Sequence, residues 1–205
     1  MKTSSAPRRG PKPDQNTRVN LVQAGLSAFH SDGYAATGIQ GIVALANVPK
    51  GSFYNHFPSK EIFGSSIVDA YFERAKVRLD KVFGNTRLSP LARLAAYFDE
   101  LIAQFSESGF EKGCLLGNLS AEIADHSEAI RLRLIEHFDA WSKILEDCLA
   151  QAQTQGELDT SLTAASLSRF ILSAWEGALL RMRVEKNDRA LVEFKLYIFG
   201  KLLSR

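Results

Sequence analysis

The chain has 205 residues, of which 45% are hydrophobic and 23% charged, with a formal net charge of +2. That length holds a small module beside one larger core, and the composition is ordinary for a packed globular protein. Residues 1–60 carry seven Lys/Arg against Asp14 and Asp32, a balance of +5, so the remainder carries −3. A cationic first segment on a mildly acidic body suits a reader of nucleic acid joined to a separate body.

Residues 1–13 contain Arg8, Arg9 and Lys12 among prolines and small residues, and cannot bury a core. They form a flexible basic arm, either an inert tail or a strand laid along phosphates or a minor groove. From about residue 14 to 32, Val19, Val22, Leu26 and Phe29 mark the apolar stripe of a helix that Gly33 stops. Thr37 and Gln40 have the spacing of a capping box, and Ile39, Ile42, Val43 and Ala46 then recur at helical spacing. Gly38 and Gly41 fall inside that short helix, at about 1 kcal/mol each relative to Ala. Val48 and Pro49 break the pattern. A second short helix runs from near Lys50 to around Phe57, burying Phe53 and Phe57 and exposing Lys50, Ser52, Tyr54, Asn55 and His56. Two short helices joined by a tight turn, the second with polar and cationic tips, make a helix-turn-helix able to enter a DNA major groove.

Ser59 reads as the N-cap of a long fourth helix, with Phe63, Ile67, Val68, Phe72, Ala75, Leu79 and Val82 as its stripe and Gly84 near its end. Pro90 opens a fifth, with Leu91, Leu94, Ala95, Phe98, Ile102 and Phe105 on one side. A short helix follows from Cys114 through Glu122. Asp125 and Glu128 look like a capping pair for a seventh, striped by Ile130, Leu134, Phe138, Trp141, Leu145, Cys148 and Ala152. The last two helices, about 161–184 and 188–203, are apolar on more than one side. In the final one Leu191, Phe194, Ile198 and Leu202 form one stripe, and Val192, Leu196, Phe199 and Leu203 a second. One stripe should pack on its own subunit and the other on a partner, giving a two-fold homodimer across a four-helix interface that Gly177 and Ala178 let close.

Leu, Ala and Phe outweigh β-branched clusters, so the fold expected is all-α with about nine helices. No apolar signal-peptide core is visible in residues 1–15, and the most apolar stretch, 170–180, is interrupted by Ser173 and Glu176, so no membrane span is expected. Two cysteines are too few for a disulfide scaffold, which favours a reduced, cytoplasmic protein. No cofactor and no metal are expected.

Arg18, Leu21, Ala24, Phe29, Gly33, Thr37, Ile39, Ile42, Ala46 and Val48, followed by the run Lys-Gly-Ser-Phe-Tyr-Asn-His-Phe-Pro-Ser-Lys-Glu at 50–61, resemble the N-terminal domain of TetR-family transcriptional regulators. Pro49 stands where many relatives have a capping Ser. The resemblance implies a three-helix DNA-binding domain over 14–60 and a larger helical ligand-binding and dimerisation domain over 61–205. It implies a repressor of a pseudo-palindromic operator in double-stranded DNA, released by a small-molecule effector. Lys50 and Tyr54 would lie near bases or phosphates, and Lys60 at the start of the fourth helix resembles a phosphate clamp. Thr37 resembles a further phosphate contact. The plainer readings are a scaffold aromatic for Tyr54 and a cap for Thr37.

In the body, Tyr97, Phe98, Phe105, Phe138, Trp141 and Trp175 are candidates to line an effector cavity between the fifth to eighth helices, although such stripes also build plain core. His137 is a further candidate for that wall, with an exposed place beside its stripe as the alternative. The run 113–122 resembles a branch of the family that responds to small electrophiles or acrylate-like acids. Cys114 follows Gly113 at a helix start, where unpaired N–H groups favour a thiolate; the alternative is an inert packed thiol. Cys148 reads as packing. Two other classes stay open: an enzyme with Cys114 as nucleophile and His126 or His137 as base, and a non-specific nucleic-acid binder with steep salt dependence.

Overall fold

The computed structural model describes residues 15–204, so the expected arm at 1–13 lies outside the described residues. The helices in chain order are α1 (Gln15–Asp32), α2 (Ile39–Leu45), α3 (Lys50–His56), α4 (Lys60–Phe83) and α5 (Pro90–Glu107). They continue with α6 (Leu115–Ile123), α7 (Glu128–Thr154), α8 (Ala164–Glu185) and α9 (Arg189–Tyr197), which closes in a π-helical turn (Ile198–Leu202). No strand occurs among the described residues, and none of these helices is long and apolar enough to cross a membrane.

Four helices start on a hydroxyl that accepts a backbone N–H: Ser59 from Ile62, Ser89 from Ala92, Ser127 from Ile130 and Thr163 from Ser166. Each such cap contributes about 1 kcal/mol over Ala. Ser127 replaces the expected pair of Asp125 and Glu128, because Glu128 is already the first helical residue. The capping box at Thr37 is also corrected. Gly38 is the N-cap of α2, with no side chain to offer, and Thr37 donates its hydroxyl to the Gly33 carbonyl at 2.6 Å. Gly38 therefore lies outside the helix and carries no helix-interior cost.

Val19 is 55% exposed, against expectation. α1 packs on α2, α3 and α4 together, so its buried arc centres on Leu21, Gly25 and Ala28 and leaves Val19 outside. α7 is likewise covered by α4, α5, α6 and α8. That wider cover turns His137 inward, where its Nε2 meets Asp69 Oδ1 at 2.8 Å and its ring lies 4.6 Å from that of Phe72. His137 is thus buried rather than exposed. In the last helix Leu191, Phe194 and Ile198 are buried while Val192 and Leu196 are exposed, as two stripes require. Leu203 departs from this and is buried. The wide final turn, closed by Leu203 N–H to the Ile198 carbonyl at 2.8 Å, swings it back to the core.

One continuous apolar core runs from Leu21 to Leu203, with α4 spanning it. Gly25 is where α1 and α4 meet most closely. A Cβ there would lie 2.4 Å from Phe63 Cζ and 2.7 Å from Ile67 Cδ1. Gly25→Val should therefore destabilise by about 1–3 kcal/mol through overpacking. Gly41 faces open space, so Gly41→Ala should stabilise by up to about 1 kcal/mol. Urea unfolding of both variants checks the opposite signs.

Candidate nucleic-acid interface and effector cavity

α2 and α3 are joined by a turn in which Asn47 adopts φ 54° and Val48 N–H bonds the Val43 carbonyl at 3.0 Å. Pro49 stands just before α3, and its carbonyl accepts Ser52 N–H at 2.9 Å. Phe53 and Phe57 pin α3 from below, with ring centroids 5.2 and 4.8 Å from Phe63 of α4. Arg18 lies 5.3 Å over the Phe57 ring. That anchoring leaves Lys50, Tyr54 and Asn55 exposed, Tyr54 by 51%, with Ser52 and His56 half-buried beside them. Thr37 is only 6% exposed, its hydroxyl committed to Gly33. Lys60 opens α4 but folds back, its Nζ 2.5 Å from the Tyr34 carbonyl and 4.1 Å over the Tyr34 ring. Burial there lowers its pKa, opposed by nearby Glu122.

Above the helix-turn-helix lies a cavity of about 530 Å³. Tyr97, Phe105, Cys114, Trp141 and Trp175 all line it. Phe98 and Phe138 do not: Phe98 is sealed into the core against Trp175 and Phe194, and Phe138 is half-buried outside the lining. The enclosing helices also differ from those expected. α4 contributes Tyr71, Phe72, Ala75, Arg74 and Arg78, and α1 contributes Leu26, Ser27 and His30. α1, which packs on both helices of the helix-turn-helix, thus forms part of the cavity wall. Arg74, Arg78 and Lys112 make its charged lining cationic. Trp141 is 7% exposed, and its indole N–H faces the Tyr97 hydroxyl without reaching hydrogen-bond geometry with any acceptor.

At one end of the cavity α4, α6 and α8 meet. The Tyr71 hydroxyl and the Glu176 carboxyl both face the Cys114 side chain. Cys114 is buried, and burial, then the nearby Glu176 charge, hold its thiol well above its ordinary pKa despite the N–H groups of Leu116 and Gly117. The expected thiolate is therefore corrected: desolvation outweighs the helix start. Burial likewise raises the Glu176 carboxyl to about 7. Cys148 lies elsewhere, its thiol donating to the Pro90 carbonyl at 3.0 Å. Neither His126 nor His137 lines the cavity.

Two contacts tie this end to α1 and to the loop that leads into α2. His30 Nε2–H donates to the Gly113 carbonyl at 2.7 Å, just before α6. At the other end of α6, Glu122 accepts from the backbone N–H groups of Tyr34 and Ala35 at 2.9 and 2.7 Å, in the loop between α1 and α2.

A helix-turn-helix standing on a helical body with an internal cavity is also what known proteins of this form present. Residues 21–62 match the model for bacterial regulatory proteins of the tetR family, and 90–198 that for the tetracyclin repressor-like C-terminal domain. The chain belongs to the TetR family. It is 36% identical to the HTH-type transcriptional repressor DhaR of Mycobacterium sp. strain GP1, over 91% of this chain and 92% of that one. It is 34% identical to the transcriptional regulator AcuR of Cereibacter sphaeroides, over 92% and 88%. The crystal structure of E. coli NemR in its reduced form superposes with a TM-score of 0.81 at 25% identity, covering 90% of this chain and 96% of that one. This TetR-family protein is a ligand-responsive, DNA-binding transcriptional regulator of the repressor type.

Sequence reasoning missed His30, Tyr71, Glu122 and Glu176 in this TetR-family chain. Glu176 alone carried a signal, a carboxylate inside the most apolar stretch of the sequence. Its raised pKa has a stability consequence. The fold prefers the neutral acid, so no penalty exists below the ordinary value of 4.5, and one builds as pH rises towards about 7. Glu176→Gln, neutral throughout, should match the wild type near pH 4.5 and exceed it by on the order of 3 kcal/mol above pH 7. Denaturant melts across that range read the difference.

Proposed function

We propose that this regulator is a homodimer that reads a pseudo-palindromic operator with α3 and releases it when a small electrophile or acrylate-like acid enters the cavity. The observation that carries the reading is one helix with two duties. α4 seats α3 through Phe63 and walls the cavity with Tyr71, Phe72 and Ala75. A ligand that fits only one position of α4 shifts the equilibrium by its differential affinity and no more.

Residues 14–60 would act as the reading domain and 61–205 as the sensing and dimerisation domain. Lys50, Tyr54 and Asn55 form the exposed tip that enters the major groove, with Ser52 and His56 at its margin. Lys60 serves phosphate from the N-terminus of α4 after letting go of Tyr34, and Thr37 contributes only as its turn opens. The partner face is α8 with α9. A groove of about 620 Å³ there is lined by Phe170, Ala174, Gly177, Phe194 and Tyr197, flanked by exposed Leu180, Val184 and Leu196. The sequence resemblance to the electrophile- and acrylate-responsive branch supports the effector class. The aromatic wall and cationic lining suit a small, partly apolar acid or carbonyl compound. Cys114 is the group such a compound would meet. The chain's matched relatives are transcriptional regulators, which fits a sensing thiol better than a turnover nucleophile.

Selection of DNA fragments with the purified protein tests the main claim. An enriched inverted repeat, with half-sites about 34 Å or more apart, is the expected result. Equal binding to all fragments with a steep salt slope would instead mark a non-specific binder. The protein should sediment as a dimer at micromolar concentration, and Leu196→Glu with Val184→Glu should yield a monomer.

Point variants test the surface. Tyr54→Ala and Lys50→Ala should lose more affinity for the operator than for random DNA. Lys60→Ala should weaken both alike and lower the salt slope by about one contact. Gel-shift titrations at several salt concentrations measure all three, with circular dichroism confirming that Lys60→Ala, which also loses Tyr34, stays folded.

A further inference from the structure

A thiol as deeply buried as Cys114, beside a carboxyl, holds little free thiolate. Any addition at its sulfur therefore needs a base in contact to take the proton as the bond forms. Glu176 is in that position. Its carboxyl faces the thiol in the pocket wall that Cys114 and Gly117 share with it, and its oxygen Oε1 is buried with no partner. Its approach depends on Gly117, where a Cβ would lie 2.1 Å from Glu176 Oε2. The N–H groups of Leu116 and Gly117 at the start of α6 point at the sulfur and meet negative charge as it develops there. Across the cavity of about 530 Å³ that Cys114 lines, Trp141, nine-tenths buried, turns its indole N–H towards the Tyr97 hydroxyl without reaching hydrogen-bond geometry with any acceptor.

We propose that Glu176 is the base that activates Cys114 towards a small α,β-unsaturated carbonyl compound, whose carbonyl oxygen accepts the Trp141 N–H in place of the Tyr97 hydroxyl. The inference rests on the reading of Cys114 as the effector-sensing thiol and names the chemistry of that same site. Sγ forms a bond to the β-carbon, and the C=C pair moves to leave an enolate whose oxygen Trp141 stabilises. The thiol proton passes to Glu176 and from there to the α-carbon. The product is a saturated thioether, the carboxylate is regenerated, and no oxidant or reductant is consumed.

The other titratable groups around the pair are poorly placed for this role. His30 on α1 spends its Nε2 on Gly113, and burial lowers its pKa. Tyr71 on α4 and Tyr97 on α5 are pushed by burial far above neutrality. Arg183 on α8 donates to Asn118. Only the Glu176 carboxyl, near 7, is matched to a neutral working pH.

The test is the rate of Cys114 adduct formation with acrolein, followed by intact and peptide mass in the full-length protein from about pH 5 to 9. Glu176→Gln should slow it by roughly 10²-fold or more and remove the rise of rate through neutral pH. Glu176→Asp, which keeps a shorter acid, should fall between and covers the case in which the Gln variant misfolds. Trp141→Phe should slow acrolein yet leave alkylation by iodoacetamide unchanged, since that displacement forms no enolate, whereas Glu176→Gln should slow both reagents. A Glu176→Gln variant that reacts as fast as the wild type, or faster, overturns the inference: the carboxylate then only suppresses the thiolate by its charge. A wild-type Cys114 that stays unmodified, while the same cysteine reacts in the urea-unfolded chain, overturns the sensing reading itself.

Discussion

α4 must satisfy two packings at once, and the rest of the molecule is arranged around that demand. Its first turn closes the aromatic cluster of Phe29, Phe53 and Phe57 through Phe63. Its far end sinks Leu79 and Val82 into the body. Between them Tyr71, Phe72 and Ala75 face the cavity. With 24 residues the helix is about 36 Å long, and it behaves as a rod. Close-packed interiors shift between discrete arrangements rather than yielding continuously. A displacement of α4 at the cavity would therefore reach Phe63 as a tilt of the whole rod.

α6 provides a second, shorter link. It begins beside the Gly113 carbonyl held by His30 and ends at Glu122, whose two oxygens hold the loop that follows α1. Gly33 fits that clamp twice over. It takes φ +85°, and a Cβ there would sit 3.0 Å from Glu122 Oε2. Hydrogen bonds to a carboxylate are worth about 1.5–3 kcal/mol each, comparable to typical allosteric couplings. The nine residues of α6 thus join the neighbourhood of Cys114 to the entrance of the helix-turn-helix without passing through α4. Coupling along either route requires that the element have two positions which ligand and DNA favour differently.

What was legible in the sequence follows from periodicity and local chemistry. The helices α1 to α9 were readable as stripes and caps, and α3 was placed to within a residue, because Phe53 and Phe57 leave one way to orient seven residues. The misplaced faces, at Val19 and His137, share a cause: α1 and α7 each touch three or more helices, so a single stripe underestimates the buried arc. Leu203 was misread because a π turn is not written in local propensity. The cavity was half legible. Tyr97, Trp141 and Trp175 were found as aromatics on inward stripes, but nothing local distinguishes them from Phe98, which the fold makes pure core. Glu122 and His30 act across more than eighty residues of sequence, and no local pattern encodes a partner that far away.

α8 carries two of these functions on consecutive residues. Glu176 turns inward to the Cys114 thiol, while Gly177 lines the outer groove of the proposed partner face. Glu176 Oε2 lies against Gly117 of α6, so one stretch of α8 touches both α6 and the proposed partner face. In a two-fold dimer the separation of the two α3 helices depends on how each α4 leans relative to that shared face. The chemistry proposed at Cys114 would therefore sit between the tilt of α4 on one side and the seat of α8 on the proposed partner face on the other. Burial explains why such a site can remain quiet. It keeps the thiol protonated and raises the carboxyl's pKa, so the proposed reaction would wait for a compound small enough to enter.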